Sequence, residues 1–281
     1  MKRFLLLGDS ITEQSLDFDN GGWALRLLSS YRRKADIIPR GFSGYNTRWI
    51  LKYLKEQQQS KIDNKSSSAS SSSNVGIDTS NLDLAVIFLG ANDAAEEECY
   101  QHVPLDEYKE NLKQLCILVN APRVILITPP PYSAVKYMET MGFPRSTRTD
   151  ERTMQYAQAV VDVAKFFEEY KNKNKTDSDT VVHNLDFSVA CANVNKTFRE
   201  KLPDNAWVDA MSDGLHLGPV ANKIVAETLV EVIAESFTEI SSTNLIMLLP
   251  SHRVFDPTNS QNYVPVTKEE EEIMKSHSMT K

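Results

Sequence analysis

Short apolar runs recur along the chain and are separated by longer stretches of mixed apolar and polar residues. The runs predict strands over residues 3–8, 36–40, 84–89, 123–128 and 181–185. The mixed stretches predict helices from about 22 to 34, 47 to about 58, 105–120, about 150 to 170, 188–201 and 219–237. Such alternation implies an α/β fold, a parallel sheet with helices on both faces. The third and fourth runs are unbroken, as strands covered on both sides should be. Ligands of such sheets bind outside the carboxyl ends of the strands.

Two segments depart from this pattern. Residues 56–80 contain the tract Ser66-Ser67-Ser68-Ala69-Ser70-Ser71-Ser72-Ser73, which can bury nothing and reads as a disordered insertion. It joins a helix to a strand, so it should emerge at the sheet edge opposite the strand carboxyl ends. The tail after residue 237 carries the apolar segment Leu245-Ile246-Met247-Leu248-Leu249-Pro250 and the charge run Lys268-Glu269-Glu270-Glu271-Glu272. The first reads as packing on the body or as a homodimer contact, the second as solvated. The expected organisation is one domain over 1–237 followed by a C-terminal extension over 238–281.

Composition narrows the function class. At 281 residues and 41% hydrophobic, the chain is long enough for one large core. A net charge of −7 argues against nucleic acid as a partner, and no segment approaches the ~20 apolar residues that span a bilayer. Met1-Lys2-Arg3 passes at once into a strand, which leaves no room for a signal peptide. Cys99, Cys116 and Cys191 are scattered and odd in number, as suits reduced thiols and a cytoplasmic protein. The Asn-x-Ser/Thr triplets at Asn64, Asn174 and Asn195 are then chance matches. His102, His183, His252 and His277 show no metal-ligand spacing, and glycine-rich phosphate loops are absent, so neither metal nor cofactor is expected.

The chemistry concentrates after strands. Gly8-Asp9-Ser10-Ile11 ends the first apolar run, which puts a hydroxyl where parallel-sheet enzymes keep their sites. Alone, it is an ordinary turn sequence. Near the other end, Asp213-Gly214-Leu215-His216-Leu217 supplies a carboxylate three residues ahead of a histidine. A serine becomes a good nucleophile only when an imidazole takes its proton, and the imidazole needs a carboxylate on its other nitrogen. Gly41-Phe42-Ser43-Gly44-Tyr45-Asn46-Thr47 and Gly90-Ala91-Asn92-Asp93 form two more loops after strands. Gly44 suits a backbone oxyanion donor, and Asn92 a side-chain donor. Asp9 and Asp93 read as loop-holding residues, and Thr12 and Glu13 as caps of the turn after Ser10. No Gly-x-Ser-x-Gly elbow occurs, which tells against an α/β-hydrolase.

On these blocks the chain resembles the SGNH hydrolases of the GDSL esterase/lipase superfamily, with the four letters on Ser10, Gly44, Asn92 and His216. Within it the chain is similar to the isoamyl acetate-hydrolysing esterases through Leu7-Gly8-Asp9-Ser10-Ile11-Thr12-Glu13, Gly22-Trp23, Asn46-Thr47-Arg48-Trp49, Phe88-Leu89-Gly90-Ala91-Asn92-Asp93-Ala94, Ile127-Thr128-Pro129-Pro130-Pro131 and Asp213-Gly214-Leu215-His216-Leu217. The resemblance implies a flavodoxin-like three-layer fold with strand order 2-1-3-4-5. It also implies a catalytic set of Ser10, Asp213 and His216, an oxyanion hole of the Ser10 and Gly44 N–H groups and the Asn92 amide, and no cofactor. The implied substrate is a small ester such as an acetate of a medium-chain alcohol. Pro129-Pro130-Pro131-Tyr132, Met138 and Phe143 are candidates for an alcohol pocket. Carbohydrate acetylesterase, thioesterase and lysophospholipase activities share this machinery and stay open, as does a flavodoxin-like binding protein without turnover.

Overall fold

The computed structural model describes residues 1–66, 76–174 and 187–248. β1 (Lys2–Gly8) leads into a short α1 (Ser10–Glu13), then α2 (Trp23–Ser30), β2 (Ala35–Gly41), α3 (Thr47–Ser66), β3 (Leu84–Phe88) and α4 (Leu105–Leu118). β4 (Arg123–Ile127), α5 (Ala134–Met141), α6 (Asp150–Asn174), β5 (Ser188–Ala192), α7 (Val194–Lys201), α8 (Trp207–Ala210) and α9 (Pro219–Ser236) follow. The strands form one parallel sheet in the order β2-β1-β3-β4-β5, as the resemblance implied.

Strand periodicity divides the core between the sheet faces. Phe4 and Leu6 of β1, with Val86 and Phe88 of β3, pack with Trp23 and Leu27 of α2 and Val225 and Leu229 of α9. Leu5 and Leu7, with Ala85 and Ile87, face the other way, toward Ile50 and Leu54 of α3, Leu112 and Leu115 of α4 and Val160 of α6. The central strands are buried on both sides, which is why their sequences read as unbroken apolar runs. Truncating such a residue to alanine costs about 2–5 kcal/mol through lost burial and the cavity left behind.

The fifth strand departs from expectation. Residues 181–185 lie outside the described residues, and the place beside β4 is taken by Ser188–Ala192, in register from Arg123 with Ser188 to Ile127 with Ala192. The helix expected from residue 188 therefore starts only at Val194. Its start is set by Asn193, whose side chain accepts from the Lys196 N–H at 3.1 Å. α5 was not anticipated at all. Ser133 caps it by accepting from Lys136 N–H at 3.3 Å, and Gly142 ends it in the left-handed region at φ 69°.

α3 runs past its expected end near residue 58 to Ser66. Residues 67–75, most of the serine tract, lie outside the described residues. The chain that follows is fastened: the Gln57 amide accepts from Ile77 N–H at 3.1 Å and donates to Ile77 O at 2.8 Å. Arg3, near the amino end of β1, pairs with Asp78 at 2.7 Å. That puts the return segment at the sheet edge away from the strand carboxyl ends.

Residues Met1–Leu245 form one compact unit, with Leu245 packed on the α2/α9 side of the core. Leu249 and Pro250, the end of the apolar tail segment, lie outside the described residues. All three cysteines are free. Asn195 is buried, its amide donating to Pro129 O at 3.1 Å, so it is no glycosylation acceptor. Among the described residues no helix is long and apolar enough to cross a membrane.

Candidate active site

Register brings the site together. Gly8 pairs with Gly41 on one side and Phe88 on the other, so the loops that follow β1, β2 and β3 leave the sheet at one edge. The approach there is close: a Cβ at Gly41 would lie 1.9 Å from Glu13 N, and one at Gly8 would lie 2.5 Å from Phe88 O. Only glycine lets α1 cross this edge.

Asp9 sets the start of α1 by accepting from Ile11 N–H at 2.9 Å, a helix N-cap. The capping expected of Thr12 and Glu13 therefore falls to Asp9, and Glu13 instead accepts from Ser43 N–H at 2.8 Å. Ser10 is the first helical residue, so its N–H has no acceptor within the helix. The Trp23 indole donates to Ile11 O at 3.1 Å and ties this turn to the core.

The histidine arrives on a short stapled loop between α8 and α9. Ser212 N–H donates to His216 O at 2.9 Å, Met211 and Leu217 form an antiparallel bridge, and Lys136 Nζ donates to Met211 O at 2.7 Å. Within the loop, Asp213 Oδ1 accepts from Leu215 N–H at 2.8 Å and His216 N–H at 2.7 Å. Asp213 Oδ2 lies 2.6 Å from His216 Nδ1, and His216 Nε2 lies 2.9 Å from Ser10 Oγ. Burial works to raise the Asp213 carboxyl, but the hydrogen bonds from the His216 side chain and backbone outweigh it and hold the pKa down to about 2. Asp213 is therefore an anion at neutral pH and holds the imidazole with Nε2 toward the serine, an arrangement able to take the hydroxyl proton.

The Gly44 and Asn92 loops are laced together. Gly44 has φ +78°, a conformation that favours glycine. Asn92 Nδ2 donates to Tyr45 O at 2.8 Å, while Gln101 Nε2 donates to Gly44 O at 2.8 Å and Asn92 Oδ1 at 3.1 Å. Arg148 Nη2 donates to the same Asn92 oxygen at 2.9 Å. Gln101 and Arg148 were not singled out from the sequence. Each sits in a polar loop stretch whose pattern resembles any solvated connection.

Asp93 accepts from the Thr47 N–H at 3.0 Å and from the Thr47 hydroxyl, and so fixes the start of α3 against the Asn92 loop. Burial pushes both Asp9 and Asp93 up to about 7, and the charge of Asp9 adds to the rise at Asp93. The Oδ2 atom of each is buried with no hydrogen-bond partner. Among the described residues no group of three or more His, Cys, Asp or Glu is placed to hold a metal ion.

The pocket candidates divide. Tyr132 is buried and its hydroxyl lies 2.7 Å from Ser146 Oγ, so it serves the fold. Its ring continues through Tyr137, at a centroid distance of 5.7 Å, to the half-exposed Phe143, 6.0 Å further on. This strip adjoins the histidine loop, because Ser133 N–H donates to Gly214 O at 2.9 Å.

Comparison with known proteins gives the family and the fold. The family model of the GDSL-like lipase/acylhydrolases matches residues 4–229. A GDSL esterase/lipase of Arabidopsis thaliana is 34% identical over 91% of this chain and 95% of its own length. The isoamyl acetate-hydrolyzing esterase 1 homolog of Homo sapiens is 34% identical over 89% of this chain and 87% of its own. A carbohydrate acetylesterase family member from Sinorhizobium meliloti superposes with a TM-score of 0.52 at 16% identity, over 85% of this chain and 100% of that one. At that identity the likeness speaks for the fold alone. The extent of the family match and the full-length relatives place the chain in one group: it belongs to the GDSL-like lipase/acylhydrolase family and is a serine esterase.

Proposed function

We propose that the protein hydrolyses small carboxylic esters with an apolar alcohol part, such as acetates of medium-chain alcohols, through an acyl-enzyme on Ser10. The observation that carries this reading is the unbroken relay from Asp213 through His216 to Ser10, with contacts of 2.6 and 2.9 Å. Ser10 Oγ attacks the ester carbonyl carbon as its proton passes to His216 Nε2. Asp213, anionic in this setting, stabilises the imidazolium that forms. The N–H groups of Ser10 and Gly44 and the Asn92 amide donate to the oxygen that becomes negative. His216 then gives its proton to the departing alcohol oxygen, takes one from water, and the resulting hydroxyl attacks the acyl-enzyme to release the acid and restore Ser10.

The alcohol preference rests on two supports. The human relative is named for isoamyl acetate hydrolysis. The strip from Tyr137 to Phe143 beside the histidine loop offers an apolar wall to a branched or medium-length alcohol. Initial rates on isoamyl acetate, p-nitrophenyl esters of increasing acyl length, acetylated xylose and an acyl thioester test the reading. It predicts the highest kcat/KM on acetates of apolar alcohols. Acetylated sugar or thioester turned over ten-fold faster would assign the site to another activity.

A further inference from the structure

The hydrolytic scheme leaves one buried cation without a role. Arg148 stands just before α6 and is only 5% exposed. Among the described residues no carboxylate accepts from it. Nε donates to Ala91 O at 2.9 Å, Nη2 to Asn92 Oδ1 at 2.9 Å and Gln101 Oε1 at 2.8 Å, and Nη1 to Thr147 Oγ1 at 3.4 Å. Its backbone is locked as well: Ser146 Oγ accepts from Arg148 N–H at 3.0 Å and donates to Arg148 O at 2.7 Å. The buried Asp9 lies within its electrostatic reach but does not hydrogen-bond it. Burying a guanidinium with no directly paired carboxylate is costly, and a neutral side chain of similar length would fill the space without that cost.

We infer that Arg148 is a positioning residue for ester hydrolysis, acting through Asn92 and Gln101 on the proposed oxyanion hole. This inference rests on the esterase reading above. The Asn92 amide nitrogen has two hydrogens, and Tyr45 O engages one of them at 2.8 Å, which leaves one for a substrate. A cation on Asn92 Oδ1 draws electron density from the amide and makes that remaining N–H a stronger donor. Gln101 extends the hold: its oxygen accepts from Arg148 while its nitrogen donates to Gly44 O and to Asn92 Oδ1. One side chain thus braces both loops that supply oxyanion donors.

The charge acts on the transition state more than on the substrate. A neutral ester carbonyl interacts weakly with a cation one amide away, whereas the oxyanion interacts strongly in surroundings emptied of water. Loss of Arg148 should therefore appear in kcat with KM little changed. Lysine would keep a charge but not the planar fork that meets Ala91 O, Asn92 and Gln101 together.

The test is steady-state kinetics on p-nitrophenyl acetate for Arg148→Met, Arg148→Lys, Asn92→Ala and the Arg148→Met/Asn92→Ala double variant, with a cooperative melt required of each. Arg148→Met should lower kcat by about 10²-fold, the scale of a lost oxyanion donor, with KM within a few-fold and Arg148→Lys intermediate. Because Arg148 works through Asn92, Arg148→Met should cost less than about three-fold more in the Asn92→Ala background, a coupling that separate structural roles would not give. A kcat within three-fold of wild type in both Arg148 variants overturns the inference, and so do losses that multiply in the double variant. If Arg148→Met does not fold, Gln101→Met takes its place, with the same kcat-selective loss expected and the same overturning result. Ser10→Ala, measured alongside, separates the two readings. Turnover retained there overturns the esterase scheme itself, whereas an inactive Ser10→Ala beside wild-type-like Arg148 variants overturns only the inference.

Discussion

His216 Nε2 lies 2.9 Å from Ser10 Oγ although the two residues are 206 positions apart in the chain. The contact follows from where two elements end. Ser10 opens α1 directly after β1, and the His216 loop is stapled by its own backbone bridge and by Lys136 from α5. Ring orientation comes from Asp213, which holds both the His216 N–H and Nδ1.

Residues that act as one unit should fail as one unit. Ser10→Ala and His216→Ala should each lower kcat by roughly 10⁴- to 10⁶-fold, with little further loss in the double variant. Asp213→Asn should cost less than either. Steady-state rates on an activated ester check this, and more than roughly a tenth of wild-type turnover in Ser10→Ala would contradict it.

Asn92 separates catalysis from loop shape. A donor that engages the oxygen mainly when it is negative should act on kcat, so Asn92→Ala should lower kcat by ~10²-fold or more with KM within a few-fold. The substitution also removes the bond to Tyr45 O. If that bond were its whole contribution, the melting temperature would fall while kcat stayed near wild type.

Stability should rise on mild acidification. Asp9 and Asp93 are pushed up to about 7 in the folded protein, whereas an unfolded aspartate titrates near ~3.9. Between those values the folded chain holds protons that the unfolded chain has released. Stability therefore falls as pH climbs through this window, and the penalty is complete above about 7. Asp213 works in the opposite sense: its stabilising contribution is present above ~3.9 and is lost as pH falls toward about 2. Melting curves from pH 8 to pH 3 should show a maximum on the acid side of neutrality, and Asp93→Asn should flatten the rise from pH 8 to 6. A wild-type melting temperature that climbs steadily from pH 6 to 8 would refute this.

The Trp23 indole is a structural anchor for the nucleophile turn. Trp23→Phe leaves Ile11 O without its buried donor and opens a small cavity, at a cost of about 1–3 kcal/mol. For a domain of this size each kcal/mol corresponds to about 2–4 °C in melting temperature. Thermal melts and rates together check the expectation that stability drops while kcat/KM at 25 °C stays within a few-fold.

Legibility in the sequence tracked how local each signal was. β1, β3 and β4 are buried on both faces, so their runs of large aliphatic residues stood out. β5 is a sheet-edge strand made of Ser188-Val189-Ala190-Cys191-Ala192, small residues whose pattern does not exclude a helix. α5 was hidden because it is only eight residues long and its residues are only partly buried or exposed, although Ala134 and Tyr137 pack against the core. The serine, histidine, aspartate, glycine and asparagine were legible because each sits in a short block with its own chemistry. Gln101 and Arg148 were not, since their meaning lies in contacts across 47 to 57 positions of sequence. The strand order came from family resemblance, because hydrophobic periodicity alone does not say which parallel strands are neighbours.

A fluorophosphonate probe followed by peptide mass spectrometry tests the proposed nucleophile most directly, since such a probe is attacked by an activated serine and stays bound to it. The scheme predicts one adduct, on the peptide that carries Ser10, formed rapidly by wild type, absent in Ser10→Ala and strongly slowed in His216→Ala. An adduct on another residue that forms equally fast in Ser10→Ala, with ester hydrolysis intact, would contradict it.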